Sequence, residues 1–271
     1  GHMDTGNPPA ALSRLTLLRV AFRSFFLQAS WNFRGMMSMG FLYALKPALD
    51  QIYPESDQRK KAYLRHMEYF NTNPYFASML MGVVLALEER LRNGEITEDI
   101  IQDTKEGLMP AFAAVGDGFF WDSWRPFVAA FSLLFAFNNY LLTPLIFLIL
   151  YNIPHLYLRF QGIYWGYRLG TDVIRILSRF QVPRMRLALR YATITVLGYL
   201  VVNHVNLHTP LLITNLPIEY FYWGEKIFQG ISASVLVALA AFAFRAKIDV
   251  LTISFLLMIV ALLLYHWRVL I

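Results

Sequence analysis

The sequence predicts an all-α integral membrane protein, built from amphipathic interfacial helices, short re-entrant apolar segments and several transmembrane helices. Three observations carry this expectation. Hydrophobic residues make up 57% of the 271 positions and charged residues only 15%, against about 45–50% and about 25% in soluble domains. So few charges cannot cover the surface of a compact soluble body of this length. Residues 126–158 form a stretch without any Asp, Glu, Lys or Arg, longer than the roughly 20 apolar residues that cross a bilayer. The net charge of +6 sits beside long apolar runs, as on the cytoplasmic flanks of membrane proteins. A disordered chain is excluded, because it needs low hydrophobicity and high charge. Nucleic acid is not an expected partner. The chain has no cysteine, which removes disulfides, thiolate metal sites and a cysteine nucleophile.

Residues 1–3, Gly-His-Met, read as a tag remnant, and 1–14 as a flexible N-terminal stretch. No signal peptide is legible, so insertion relies on internal segments. Residues 15–106 read as an amphipathic and short re-entrant helical region. Within it, 15–26 place Leu15, Leu18, Phe22, Phe25 and Phe26 on one helical face and Thr16, Arg19 and Arg23 on another. Such a helix lies in the headgroup plane or packs on another protein surface. Pro47 and Pro54 punctuate the next stretch. Residues 57–70 are charged and helical and end at Asn71-Thr72-Asn73-Pro74, where Asn before Pro disfavours helix. Residues 74–87 are uncharged but too few to cross, so they read as buried or re-entrant. Residues 94–106 are acidic and polar, a surface helix or linker.

Residues 107–271 read as the membrane-embedded region with a C-terminal helical hairpin. The 126–158 stretch is one tilted crossing, or two pieces broken near Pro144. Residues 159–190 hold seven arginines, one Asp and no Lys. Gly162, Gly166 and Gly170 recur every fourth residue, a small face that lets another helix approach. The Arg168, Asp172, Arg175 and Arg179 stripe lies roughly opposite. This segment reads as a cytoplasmic-side helix docked on the bundle. Residues 187–202, 227–244 and 250–267 are further apolar segments, and the basic turn at 245–247 favours the cytoplasm, leaving the C-terminus outside.

Catalytic motifs are absent, so no catalytic residue, metal or cofactor is expected. His204 and His208 are four apart, but no carboxylate follows until Glu219, so solvated histidines are the simpler reading. His66 could relay a proton or phosphoryl group, yet its charged helix favours a surface position, and Glu88 with Asp117 have no partner histidine at a telling spacing. The polar residues set among apolar ones are the candidates for a substrate path: Gln28, Trp31, Asn32, Asn71, Asn73, Glu88 and Asp117. Amide groups beside an aromatic ring suit a neutral polyol, since they donate to and accept from hydroxyls while the ring covers the apolar sugar face. The plainer alternative is helix capping by Asn71 and interfacial anchoring by Trp31.

Three stretches, in this order, carry a family resemblance. They are Arg23-Ser-Phe-Phe-Leu-Gln-Ala-Ser-Trp-Asn32 leading to Met39-Gly-Phe41; His66-Met-Glu-Tyr-Phe-Asn-Thr-Asn-Pro74 with Ala86-Leu-Glu-Glu89; and Lys105-Glu-Gly-Leu-Met109 with Val115-Gly-Asp117 and Phe120-Trp121. The chain resembles the IID subunit of mannose-family sugar phosphotransferase systems, from about residue 15 to 170 and more weakly beyond. The resemblance implies a subunit of the bacterial cytoplasmic membrane that pairs with a IIC subunit of inverted topology. A hexose-type sugar would be phosphorylated on entry by a IIB subunit, itself charged by IIA, and this chain would carry no phosphoryl group. A non-transporting scaffold or regulatory relative of the same fold is the alternative. Two departures from the family pattern bear on that choice. Phe33-Arg34-Gly35 stands where an acidic residue and Arg usually follow Trp-Asn. Pro110-Ala-Phe-Ala-Ala114 replaces Gly-Pro-Leu-Ala-Gly, so a re-entrant hairpin there would be stiffer.

Overall fold

A computed structural model describes residues 11–136, 140–173, 175, 181–204 and 248–266, with 231, 234–235, 238–239, 241–243 and 245–246 between them. The described residues are helical, with two isolated backbone bridges, Asn32 to Met36 and Met36 to Phe70. They fall into two compact units divided after Tyr191. Residue 106 lies within a continuous helix, Glu98–Gly116.

Ser13 starts α1 (Arg14–Arg23), its Oγ accepting from the Thr16 amide at 3.1 Å, as an N-cap should. The helix buries Thr16, Leu17, Val20 and Ala21, and leaves Leu15, Leu18, Phe22, Phe25 and Phe26 exposed. The Thr16, Leu17, Val20 and Ala21 face packs inward, while Phe22 and the following Phe25 stay partly exposed against Phe160. Helix α2 (Ser38–Ile52) contains Pro47, which does not punctuate it. Proline has no N–H to offer the carbonyl four residues back; the Tyr43 carbonyl instead accepts from Arg23 Nη1 at 3.2 Å.

Helix α3 (Ser56–His66) is turned inside out. It buries Ala62, Arg65 and His66 and exposes Leu64. His66 is fully buried, contrary to the expected surface position, because a carboxylate waits for it in the core. That carboxylate is on α4 (Ala77–Arg92), the central helix, whose residues 77–85 are all buried. Helix α5 (Glu98–Gly116) runs unbroken through Pro110, so this stretch is a helix rather than a re-entrant hairpin. It passes into a π-helical segment, Asp117–Trp124, and then into α6 (Arg125–Leu133).

The break in the uncharged 126–158 stretch falls before α7 (Leu142–Leu169), and Pro144 sits in the first turn of that helix, where a missing N–H has no cost. Helices α4 and α7 meet through glycine. A Cβ on Gly166 would lie 2.0 Å from the Met79 carbonyl oxygen, and one on Gly82 2.1 Å from that of Ile163. Gly162 abuts Ser78 in the same seam. Gly170 does not belong to it. It ends α7 at φ +54° with open space around it, a conformation glycine adopts without penalty. The arginine-rich 159–190 segment is accordingly not one helix: α7 stops at Leu169, and α8 (Val182–His204) starts afresh. Arg168, Asp172 and Arg175 are exposed. Arg159 is buried; it donates to the Ser24 carbonyl, to Ser24 Oγ at 3.0 Å and to the Pro74 carbonyl at 3.3 Å.

In the second unit, α9 (Val250–His266) exposes Leu251, Phe255, Leu256, Met258, Leu262 and Leu263. A helix apolar all round suits a core or a membrane rather than water. Among the described residues, no helix is long and apolar enough to cross a membrane. The several crossings expected from the sequence are thus not seen as such; α6 and α7 divide 126–158, and α9 has 17 residues. Most of the expected 227–244 segment, with Arg179, Lys247 and His208, lies outside the described residues.

Candidate functional site

The 71–74 break is held from both sides. Thr72 Oγ1 donates to the Met109 carbonyl at 2.8 Å, and the Asn71 amide meets Met109 Sδ at 3.3 Å. Asn73, not Asn71, closes the turn that leads into α4. Asn73 Oδ1 accepts from the amides of Tyr75, at 3.0 Å, and Phe76, at 3.4 Å, which satisfies donors left free at the entry to α4. The other end of the same buried side chain reaches α5: Nδ2 donates to Asp117 Oδ1 at 2.8 Å. Gly116 makes room for this, since a Cβ there would sit 2.4 Å from Asn73 Cγ. Asp117 itself is exposed and opens the π-helical segment, a geometry that recurs at functional sites. Sequence reading could not place the π turn, but the glycines on either side of Asp117 signal close approach.

Asn32 shapes a second element. Its Oδ1 accepts from the amides of Arg34, at 3.1 Å, and Gly35, at 2.8 Å, closing an Asx-type turn. The Asn32–Met36 loop is stapled to the 71–74 break by Met37 N to Phe70 O, 2.9 Å, and Phe70 N to Gly35 O, 3.2 Å. Trp31 and Phe33 form an exposed edge-to-face pair 5.4 Å apart, with Phe33 88% exposed. Gln28 is exposed on the preceding turn.

Two open grooves adjoin these elements and share Tyr69. One, of about 490 Å³, is lined by Asn32, Arg34, Ser38, Met67, Glu68 and Tyr69 among others. The other, of about 440 Å³, is lined by Tyr69, Asn71, Gln102, Glu106, Met109 and Pro110 with Ala113. Amide, carboxylate and phenol groups converge there on a mixed apolar wall, a lining suited to a hydroxylated ligand. Sequence reading missed Tyr69, Gln102 and Glu106; the i,i+4 spacing of the last two on α5 was the available signal.

Glu88 is elsewhere. It is fully buried and engaged by four groups: Arg65 Nε and Nη2, each at 2.9 Å, His66 Nε2 at 2.8 Å and Tyr53 Oη at 2.7 Å. Burial pushes its carboxyl up, but His66 and Arg65 outweigh this and hold it down at about 2. Burial also pushes the His66 ring down. The neutral ring therefore donates Nε2–H to an ionised Glu88. A core carboxylate so completely engaged has no free valence for a passing ligand. Glu88 thus gains the histidine that sequence spacing did not reveal, but as a structural cluster. Among the described residues no group of three His, Asp or Glu could hold a metal.

A helical body with polar, aromatic-edged grooves and large exposed apolar faces has the character of a membrane transport component. The comparisons agree. The chain matches a family model described as the mannose/fructose/sorbose family IID component of the phosphotransferase system over residues 11–270. It is 37% identical over 207 residues to the mannose-specific EIID component of Escherichia coli K12, covering 76% of this chain and 73% of that one. It is 29% identical to the fructose permease IID component of Bacillus subtilis, covering 83% and 82%. Among solved structures it resembles one described as a membrane protein, with TM-score 0.80, 30% identity and coverage of 96% and 99%. It also resembles a chain of the mannose transporter ManYZ in complex with microcin E492, with TM-score 0.57, 31% identity and coverage of 96% and 98%. The chain belongs to the IID component family of mannose-type phosphotransferase systems. It is a sugar-uptake subunit of such a system, a membrane component of a group-translocating machine.

Proposed function

We propose that this chain forms, with a IIC subunit, the path by which a hexose-type sugar crosses the bacterial cytoplasmic membrane. Phosphorylation is done by IIB, charged in turn by IIA, and this chain carries no phosphoryl group. The likeness to the ManYZ mannose transporter supports the pairing. The apolar segments 126–158, 227–244 and 250–267 lie in the membrane, and the basic 159–190 segment and 245–247 turn face the cytoplasm, as short Lys/Arg-rich stretches do.

The observation that carries the site is the Asn73–Asp117 bond. It joins two interrupted segments, the helix break before α4 and the π-helical end of α5. Paired interrupted segments of this kind are the sequence pointer to a binding site in transport proteins, and Asp117 is exposed at their junction. The adjacent Tyr69 grooves, with Asn32 and Asn71, extend the path; Gln28 and Trp31 border it. Asp117→Asn and Asn73→Ala test this in cells carrying all four components. Uptake falls by roughly five- to 150-fold while the complex still co-purifies, as expected for losing about 1–3 kcal/mol of polar interaction. Unchanged uptake, or assembly lost in parallel, would assign these residues to structure alone.

A further inference from the structure

The face between α1 and α7 is not used by the sugar path. A groove of about 360 Å³ runs there, lined by Arg14, Leu17, Leu18, Phe160, Ile163 and Tyr164 with Gln161. The two helices are antiparallel along it. Arg14 lies beside Tyr164 at one end, Phe22 meets Phe160 at 5.1 Å further along, and Phe25 meets His155 beyond. At the first end two guanidinium groups flank one ring. Arg168 is 4.5 Å from the Tyr164 centroid and Arg14 is 6.0 Å from it. Both are exposed.

The carboxylates nearby in sequence or contact are already engaged. Glu89 accepts from Tyr167 Oη at 2.7 and 2.8 Å and from the Leu12 amide at 3.1 Å. Asp172 pairs with Arg175 at 2.8 Å. The mouth of the groove is therefore cationic and its length apolar, continuous with the exposed Leu15, Leu18 and Phe22. We propose that it seats an anionic phospholipid, one acyl chain along Leu18 and Phe160 and the phosphate at the mouth, where the Arg14 and Arg168 side chains gather around Tyr164. Arginine's fork suits phosphate oxygens, and basic pockets between helices of membrane proteins take lipid headgroups. A zwitterionic lipid offers the same acyl chain but brings its own cation to the mouth. The proposal rests on the membrane location of the family and is independent of the Asn73–Asp117 path.

The test uses the full chain purified in detergent with its IIC partner, exposed to phosphatidylglycerol or phosphatidylcholine, with bound lipid counted by native mass spectrometry. Phosphatidylglycerol is expected to bind roughly thirtyfold more tightly than phosphatidylcholine, with the preference lost in the Arg14→Gln/Arg168→Gln double variant, at about 1 kcal/mol for each of the two basic residues near a lipid surface. Leu18→Trp, which fills the groove from an exposed position, lowers the amount of both lipids bound. Equal retention of the two lipids, or a preference that survives in the double variant, overturns the proposal. So does displacement by millimolar inorganic phosphate, which would make this a free-phosphate site. Binding seen only without IIC overturns it as well, because the groove would then be a protein interface.

Discussion

Arg65 grips Glu88 through two parallel hydrogen bonds, Nε to Oε1 and Nη2 to Oε2, both 2.9 Å long, with the Glu88 carboxylate wholly removed from solvent. This pair joins α3 to α4, Tyr53 adds the end of α2, and Lys105 of α5 donates to the Arg65 carbonyl at 3.2 Å. Four helices thus converge on one ion pair. The remaining Arg65 nitrogen, Nη1, lies 3.0 Å from Glu98 at the start of α5.

Removing one member of a buried pair leaves the other charged and unsatisfied, at a cost of about 3–5 kcal/mol. Glu88→Gln should therefore lower the melting temperature of the detergent-solubilised protein by many degrees. Replacing both residues, as Glu88→Leu with Arg65→Met, should cost less than the sum of the two single changes. Additive effects in a double-mutant cycle would show that the pair is not a coupled unit.

Acid should undo the same cluster. Glu88 is held at about 2 in the folded protein and has an ordinary value of 4.5 when released. A carboxylate depressed on folding contributes stability in full above its unfolded value and loses it as pH falls through the folded one. His66 acts in the same direction, since its ring is held neutral while the unfolded ring, at 6.5, takes up a proton. Stability measured by melting should therefore begin to fall below about pH 6.5 and drop most steeply between about pH 4.5 and 2. In Glu88→Gln the steeper acid limb should flatten. A limb of unchanged slope would place the acid-sensitive group elsewhere.

The glycine seam makes a third, position-specific prediction. Gly166→Ala places a methyl group 2.0 Å from a backbone oxygen of α4, so one helix must shift. Overpacking of this kind costs about 1–3 kcal/mol. Gly198 is also helical but has nothing within 4 Å, so Gly198→Ala should be neutral or stabilising by about 0.5–1 kcal/mol. Thermal melts of the two variants side by side decide it. Equal behaviour would mean that the seam does not hold α4 to α7.

Composition and periodicity by themselves determined the helical class, the apolar excess, the glycine repeat at Gly162 and Gly166, and the break at 71–74. Each is a local consequence of side-chain chemistry: proline and asparagine disfavour helix where they stand, and a four-residue repeat of small side chains must share a face. The ordered motifs around Trp31-Asn32, Asn71–Pro74 and Gly116-Asp117 were enough to indicate the family. What only the tertiary structure decided is which groups meet across distance. His66 and Glu88 are separated by 22 residues and Asn73 and Asp117 by 44, so neither pair has a signature in local spacing. The direction of burial was equally illegible. α1 turns Leu17, Val20 and Ala21 inward and leaves Phe22 exposed, and α3 hides arginine and histidine because the interior offers it a carboxylate. Helical periodicity defines faces; the neighbours a face finds determine which of them turns inward.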